Sequence, residues 1–148
     1  HLAQQHPEYL AKQLADFKSG ARASAIMQGF AGMLSESQAR NISWWLASQK
    51  AKPGFSSDEE LAEQGQRIYR GGLADRRIPA CAGCHSPDGV GLPVQYPRLA
   101  GQFAEYTEQE LQLFRDGDRA NSEVMYEIVR YMTAQEIKAV SDYIAGLR

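Results

Sequence analysis

The chain is poor in cysteine, in histidine and in long apolar runs. It has two cysteines and three histidines in 148 residues. Cys81 and Cys84 are too close in sequence to staple a fold of this size, because a bridge between them closes a trivially small ring. No stretch approaches the ~18 apolar residues of a membrane span. No convincing strand pattern occurs either. The net charge is −2, so there is no basic footprint for nucleic acid. No signal peptide is visible, and the chain opens at His1 rather than Met, which reads as a processed or truncated product. What is present, 43% apolar and 23% charged residues, is the composition of one ordinary globular domain or two small ones. The charge is uneven: residues 1–57 carry six Lys/Arg against three Asp/Glu, and residues 58–148 carry ten against fifteen. Such a dipole orients a protein toward a partner, although chance scatter gives the same count.

The periodicity is helical throughout, and four or five helical segments stand out. Pro7-Glu8 opens a helix over 7–19 with Leu10, Leu14 and Phe17 on one face, stopped by Gly20. Ser35 and Gln38 form a capping box ahead of a helix carrying Ile42, Trp45 and Leu46. Residues 51–57, broken by Pro53-Gly54, read as a linker. Ser57 and Glu60 are expected to cap a helix with Leu61, Ile68 and Tyr69 inward, closed by Gly71-Gly72. Residues 72–102 are rich in glycine and proline and lack periodicity, so they need something to wrap around. A helix over about 103–115 follows. Thr133 and Glu136 then cap a last helix with Ile137, Val140, Ile144 and Leu147 on one stripe.

Two stretches of the chain are copies of one pattern. Residues 2–23 laid on 99–120 agree at ten of 22 positions. One further residue in the later copy then places Met27 on Met125, Leu34 on Met132 and Ser35 on Thr133. His1 falls on Arg98, so the first copy lacks a counterpart of roughly residues 58–97.

That stretch holds the chemistry. Cys81-Ala-Gly-Cys84-His85 is the spacing that bonds two cysteine sulfurs to the vinyl groups of a haem and sets the next histidine under its iron. A zinc site needs a fourth ligand, and only His1 and His6 remain as further Cys or His donors. A thioredoxin-like motif needs a strand and an α/β alternation that are absent. The sixth iron ligand is expected from a methionine of the same unit, Met125 or Met132. The repeat favours Met125, because a ligand position keeps Met in both copies while a core position drifts, as Met132 does to Leu34. The second nitrogen of His85 needs an acceptor, and Tyr96-Pro97-Arg98 is a candidate source of a free carbonyl. Tyr96 and Arg98 are the polar groups best placed to meet haem propionates.

The CAGCHSPDGVG, YPRLAGQ and Met125 segments, with the stripe of the last helix, resemble a class I cytochrome c domain. The duplicated LAGQ-x-x-EY pattern and the PACAGCH approach are similar more narrowly to cytochrome c4, the periplasmic family with two such domains in tandem. The resemblance implies an all-α class I cytochrome c fold: one complete haem domain at 58–148, the linker 51–57, and at 1–50 the later part of a first domain without a haem motif. It implies haem c (heme c) on Cys81 and Cys84, with His85 and Met125 as axial ligands and the Pro97 carbonyl accepting from His85. Met27 is implied as ligand to a second haem, expected only where the missing first-domain segment is present. The implied role is electron carriage, not catalysis, between a quinol:cytochrome c oxidoreductase and a terminal oxidase. The alternative is the cytochrome subunit of a larger oxidoreductase, such as a flavocytochrome sulfide dehydrogenase. The apolar faces of residues 1–50 need cover from the other domain, the missing piece or self-association with a second copy.

Overall fold

Local signals start and stop the helices, and a computed structural model describing residues 1–148 shows where each does so. The elements are α1 (Pro7–Ser19), α2 (Ala25–Gly32), α3 (Glu36–Ser48), α4 (Glu59–Gly71), α5 (Ala82–His85), α6 (Ala104–Asp116), α7 (Glu123–Val129) and α8 (Ala134–Gly146). A single 3-10 turn spans Ala74–Arg76. There is no strand, only the isolated bridges Leu73–Ile78 and Leu92–Tyr96. The Ser35–Gln38 and Thr133–Glu136 capping boxes form with both reciprocal hydrogen bonds. The expected Ser57 cap does not. Asp58 caps α4 by accepting from the Leu61 N–H, and Ser57 instead donates its N–H and hydroxyl to the Asp142 carboxylate on α8. A carboxylate one residue nearer the helix accepts more strongly than a hydroxyl and frees Ser57 for that tie.

The core of residues 58–148 lies between α4, α6 and α8. Tyr69, Phe114, Ile137, Val140 and Ile144 meet there, joined by Ile78 and Ala100 from the long wrap. At Gly65 the α4 backbone runs against α8 so closely that a Cβ would stand 2.1 Å from the Ala139 carbonyl oxygen. This contact fixes how the two helices cross.

Helices α1 to α3 repeat the arrangement of α6 to α8: the first of each set packs on both others. Gly20 and Gly117 end α1 and α6 at φ 84° and 83°. Ser24 and Ser122 cap α2 and α7, each accepting the N–H of Met27 or Met125. The halves differ where α4 would be. Val140 of α8, packed on α4, is 1% exposed, while its counterpart Ile42 on α3 is 40% exposed and Trp44 and Trp45 are more so. The second half therefore leaves the outer face of α3 uncovered.

Between the halves runs a polar seam. The buried Arg22 guanidinium donates to Gln13, Tyr106 and Glu110, and its sequence counterpart Arg119 donates to Glu110, Tyr9 and Gln13. One carboxylate thus faces two guanidiniums, both at 2.7 Å. Burial opposes the Arg22 charge, and Tyr106, Glu110 and Tyr9 more than offset it, so its pKa is raised.

Gly65→Ala is expected to lower stability by about 1–3 kcal/mol in urea unfolding, because overpacking against backbone outweighs the ~0.5–1 kcal/mol that alanine gains inside a helix. Glu110→Gln leaves two buried cations without a counter-charge, and is expected to cost about 3–5 kcal/mol in the same assay.

Candidate haem-binding site

The site begins with one helical turn. The amides of Cys84 and His85 both donate to the Cys81 carbonyl, which puts Cys84 and His85 on the short α5 with Cys81 at its N-cap. Ser86, at φ 69°, ends it at once and turns the chain back. Two contacts hold that reversal: the Gly91 N–H donates to the His85 carbonyl at 2.9 Å, and the Ser86 hydroxyl donates to the Gly91 carbonyl at 3.0 Å. From the core, the fully buried Tyr69 donates its hydroxyl to the Ser86 carbonyl at 2.7 Å. The returning strand of loop then pairs Leu92 with Tyr96 and places the Pro97 carbonyl 2.9 Å from His85 Nδ1.

Glycine is required for this return at Gly91. Its φ is +81°, and a Cβ there would lie 2.6 Å from the Pro97 carbonyl oxygen. The acceptor of His85 is thus seated against bare backbone.

The carbonyl decides the tautomer of His85. An oxygen can only accept, so Nδ1 carries the proton and Nε2 presents its lone pair. Burial lowers the His85 pKa, against the Pro97 hydrogen bond that raises it, and favours the neutral ring. Tyr96 lies edge-on to this ring at 5.9 Å. No disulfide joins the two cysteines, and burial pushes the pKa of the Cys81 thiol up to about 11 before any group is attached. Cys81 and Met125 pack against the same core cluster, into which Met132 is fully absorbed at 5% exposure. No group of three or more His, Cys, Asp or Glu side chains converges.

Two adjacent thiols, an imidazole held as the Nδ1–H tautomer and a half-buried thioether beside the same core are a donor set that fits haem c. With the helical fold and the wrap of residues 72–102, they define a c-type cytochrome. Comparison with known proteins agrees. The Cytochrome c family model matches residues 62–148. Cytochrome c4 of Thiocapsa roseopersicina is 42% identical, over 99% of this chain and 77% of its own. The thiosulfate dehydrogenase electron acceptor of Stutzerimonas stutzeri is 39% identical, over 94% of this chain and 66% of its own. The crystal structure of reduced cytochrome c4 from Pseudomonas stutzeri superposes with a TM-score of 0.95 at 38% identity, over 99% of this chain and 84% of that one. The chain belongs to the cytochrome c4 family, and its haem c is bonded through Cys81 and Cys84.

The structure gathers Cys81, Cys84, His85, Tyr96 and Pro97 at one place, with Arg98 half-buried beside them. Met27 lies apart, on α2 of the first half. Sequence reasoning missed Ser86, Gly91 and Tyr69, which hold the histidine's surroundings. It also missed Arg76, whose guanidinium spans both Glu136 oxygens and reaches the Tyr131 carbonyl, tying the wrap to the start of α8.

Gly91→Ala is expected to push the Pro97 carbonyl off His85 and to destabilise the haem-loaded protein by about 1–3 kcal/mol in thermal unfolding. The hydrogen bonds from Arg76 and Thr133 hold Glu136 below its ordinary value of 4.5. That contribution is full above about 4.5 and is lost as pH falls through the lower folded value. Glu136→Gln is therefore expected to lower stability at neutral pH and to flatten the acid limb of a stability–pH curve.

Proposed function

We propose that the chain carries single electrons on one haem held between His85 and Met125. The observation that carries this reading is the His85 Nδ1 to Pro97 hydrogen bond at 2.9 Å, which leaves Nε2 as the one free donor of a fixed ring. Bound between a histidine and a methionine, the haem iron supplies one-electron redox chemistry at a raised potential, with no position open to substrate. Cys81 and Cys84 anchor the group. Ser122, capping α7 at the Met125 amide, sets the helix that presents the thioether. Tyr96 and Arg98 are assigned to the propionates. Met132 is assigned to packing, in keeping with its burial in the core.

Residues 58–148 form the complete cytochrome domain in this reading, 51–57 its linker, and 1–50 the closing part of a first one. The repeated caps on Met27 and Met125 support this, as does the uncovered face of α3. Where a segment with its own Cys-x-x-Cys-His precedes residue 1, Met27 is the thioether donor to a second haem.

The working place is the periplasm, where bacterial c-type haem is attached; no helix is long and apolar enough to cross a membrane. The donor is a quinol:cytochrome c oxidoreductase and the acceptor a terminal oxidase, as the similarity to cytochrome c4 supports. A second reading, electron acceptor to a dehydrogenase, is favoured by the 39% identity to the thiosulfate dehydrogenase electron acceptor. It stands beside the flavocytochrome partner suggested by sequence and names a dehydrogenase of another chemistry.

Met125→Leu is expected to abolish the weak sulfur-to-iron absorbance band and to lower the midpoint potential; an unchanged band and potential would remove Met125 from the iron. Rapid-mixing reduction by a quinol-oxidising complex and by a thiosulfate dehydrogenase, side by side, separates the two donors.

A further inference from the structure

One peptide group links the two halves of the molecule to the histidine. The carbonyl of the Pro97–Arg98 peptide accepts from His85 Nδ1 at 2.9 Å, and the N–H of that same peptide donates to Gln5 Oε1 at 2.8 Å. Gln5 belongs to the first half and is 7% exposed. Its amide grips Arg98 at two points, since Nε2 donates to the Arg98 carbonyl at 2.9 Å. The second lone pair of Oε1 takes the His6 N–H at 3.0 Å. These partners fix the amide's orientation: turned over, its NH2 would face two N–H donors and its oxygen a carbonyl.

We propose that Gln5 is a positioning residue for the redox centre of the other half, strengthening the hydrogen bond that His85 donates and thereby lowering the haem's reduction potential. The inference rests on the reading of His85 as axial ligand. An acceptor at the N–H end of a peptide polarises it, so its carbonyl becomes a better acceptor; linked hydrogen bonds strengthen one another by ~10–30% each. A better acceptor on Nδ1–H makes the imidazole a stronger donor at Nε2. A stronger axial donor favours the oxidised metal. Loosening the seam between the halves at this one point is thereby felt at the iron.

The repeat supplies a control. Gln102 is the sequence counterpart of Gln5, and it grips the backbone nitrogen and carbonyl of His1 while its oxygen takes the Phe103 N–H at 3.0 Å. Gln102→Leu removes the same kind of tie between the halves without touching Pro97.

The test uses the haem-loaded protein with Gln5→Leu, the volume-matched Gln5→Met, and Gln102→Leu. Both Gln5 variants are expected to raise the midpoint potential of the haem on Cys81 and Cys84, to move the His85 Nδ1–H resonance upfield and to speed its exchange. Gln102→Leu is expected to leave all three unchanged. Unmoved values in the Gln5 variants, or equal shifts in Gln102→Leu, would overturn the proposal. Should the Gln5 variants not fold, the unsubstituted protein still decides. A scalar coupling across the hydrogen bond between the Arg98 amide nitrogen and the Gln5 side-chain carbonyl carbon is expected, and its absence refutes the link. In the reduced protein, His85 ring protons carrying the haem's ring-current shift show that the ligand reading stands, so a failed Gln5 effect then counts against this inference alone.

Discussion

The hydrogen bond from His85 Nδ1 to the Pro97 carbonyl is the constraint on which the rest of the site depends. It joins the two ends of a loop that has almost no regular structure of its own. Everything near it serves to keep that carbonyl in place. Gly91 offers no side chain to displace it, Ser86 and Tyr69 pin the turn after α5, and proline stiffens the residue that bears it. A histidine free to rotate, or free to choose its tautomer, would present either nitrogen. This one presents Nε2.

Duplication explains the second level of organisation. Two copies of one helical pattern meet through three pairs of sequence counterparts, Arg22 and Arg119, Tyr9 and Tyr106, Gln13 and Glu110, which bond crosswise: Arg22 donates to Tyr106 and Glu110 of the other half, and Arg119 to Tyr9 and Gln13. A seam so rich in buried charge holds only while its partners stay aligned, since removing one member strands the others. It therefore specifies one relative placement of the halves where an apolar interface would tolerate sliding. The outer face of α3 is a different matter. Its tryptophans are exposed where the matching face of α8 is covered by α4.

Much of this was legible in the sequence. The stripes of α1, α3, α4, α6 and α8 are each 13 residues long, long enough for a 3.6-residue period to show. Helices α2 and α7, of eight and seven residues, are not, although they carry Met27 and Met125. The repeat compensated for this by pairing the two methionines without any knowledge of the helix. The cap of α4 was misread because Ser57 and Asp58 are both good caps, and the choice was made by Asp142, 85 residues away. The seam and the hold of Gln5 on Arg98 left no local trace at all. They join residues far apart in the chain, and a glutamine in isolation reads as surface. The cysteine motif was the opposite case, since its whole meaning lies in five consecutive residues.

In the proposed reading, residues 58–148 hold their haem in a closed, fixed environment and exchange electrons without rearranging its ligands. The most direct test is near-infrared magnetic circular dichroism of the oxidised, haem-loaded protein, which separates sulfur–nitrogen from nitrogen–nitrogen axial pairs. A low-spin spectrum of the histidine–methionine type is the predicted result. A bis-nitrogen or high-spin spectrum would contradict the account.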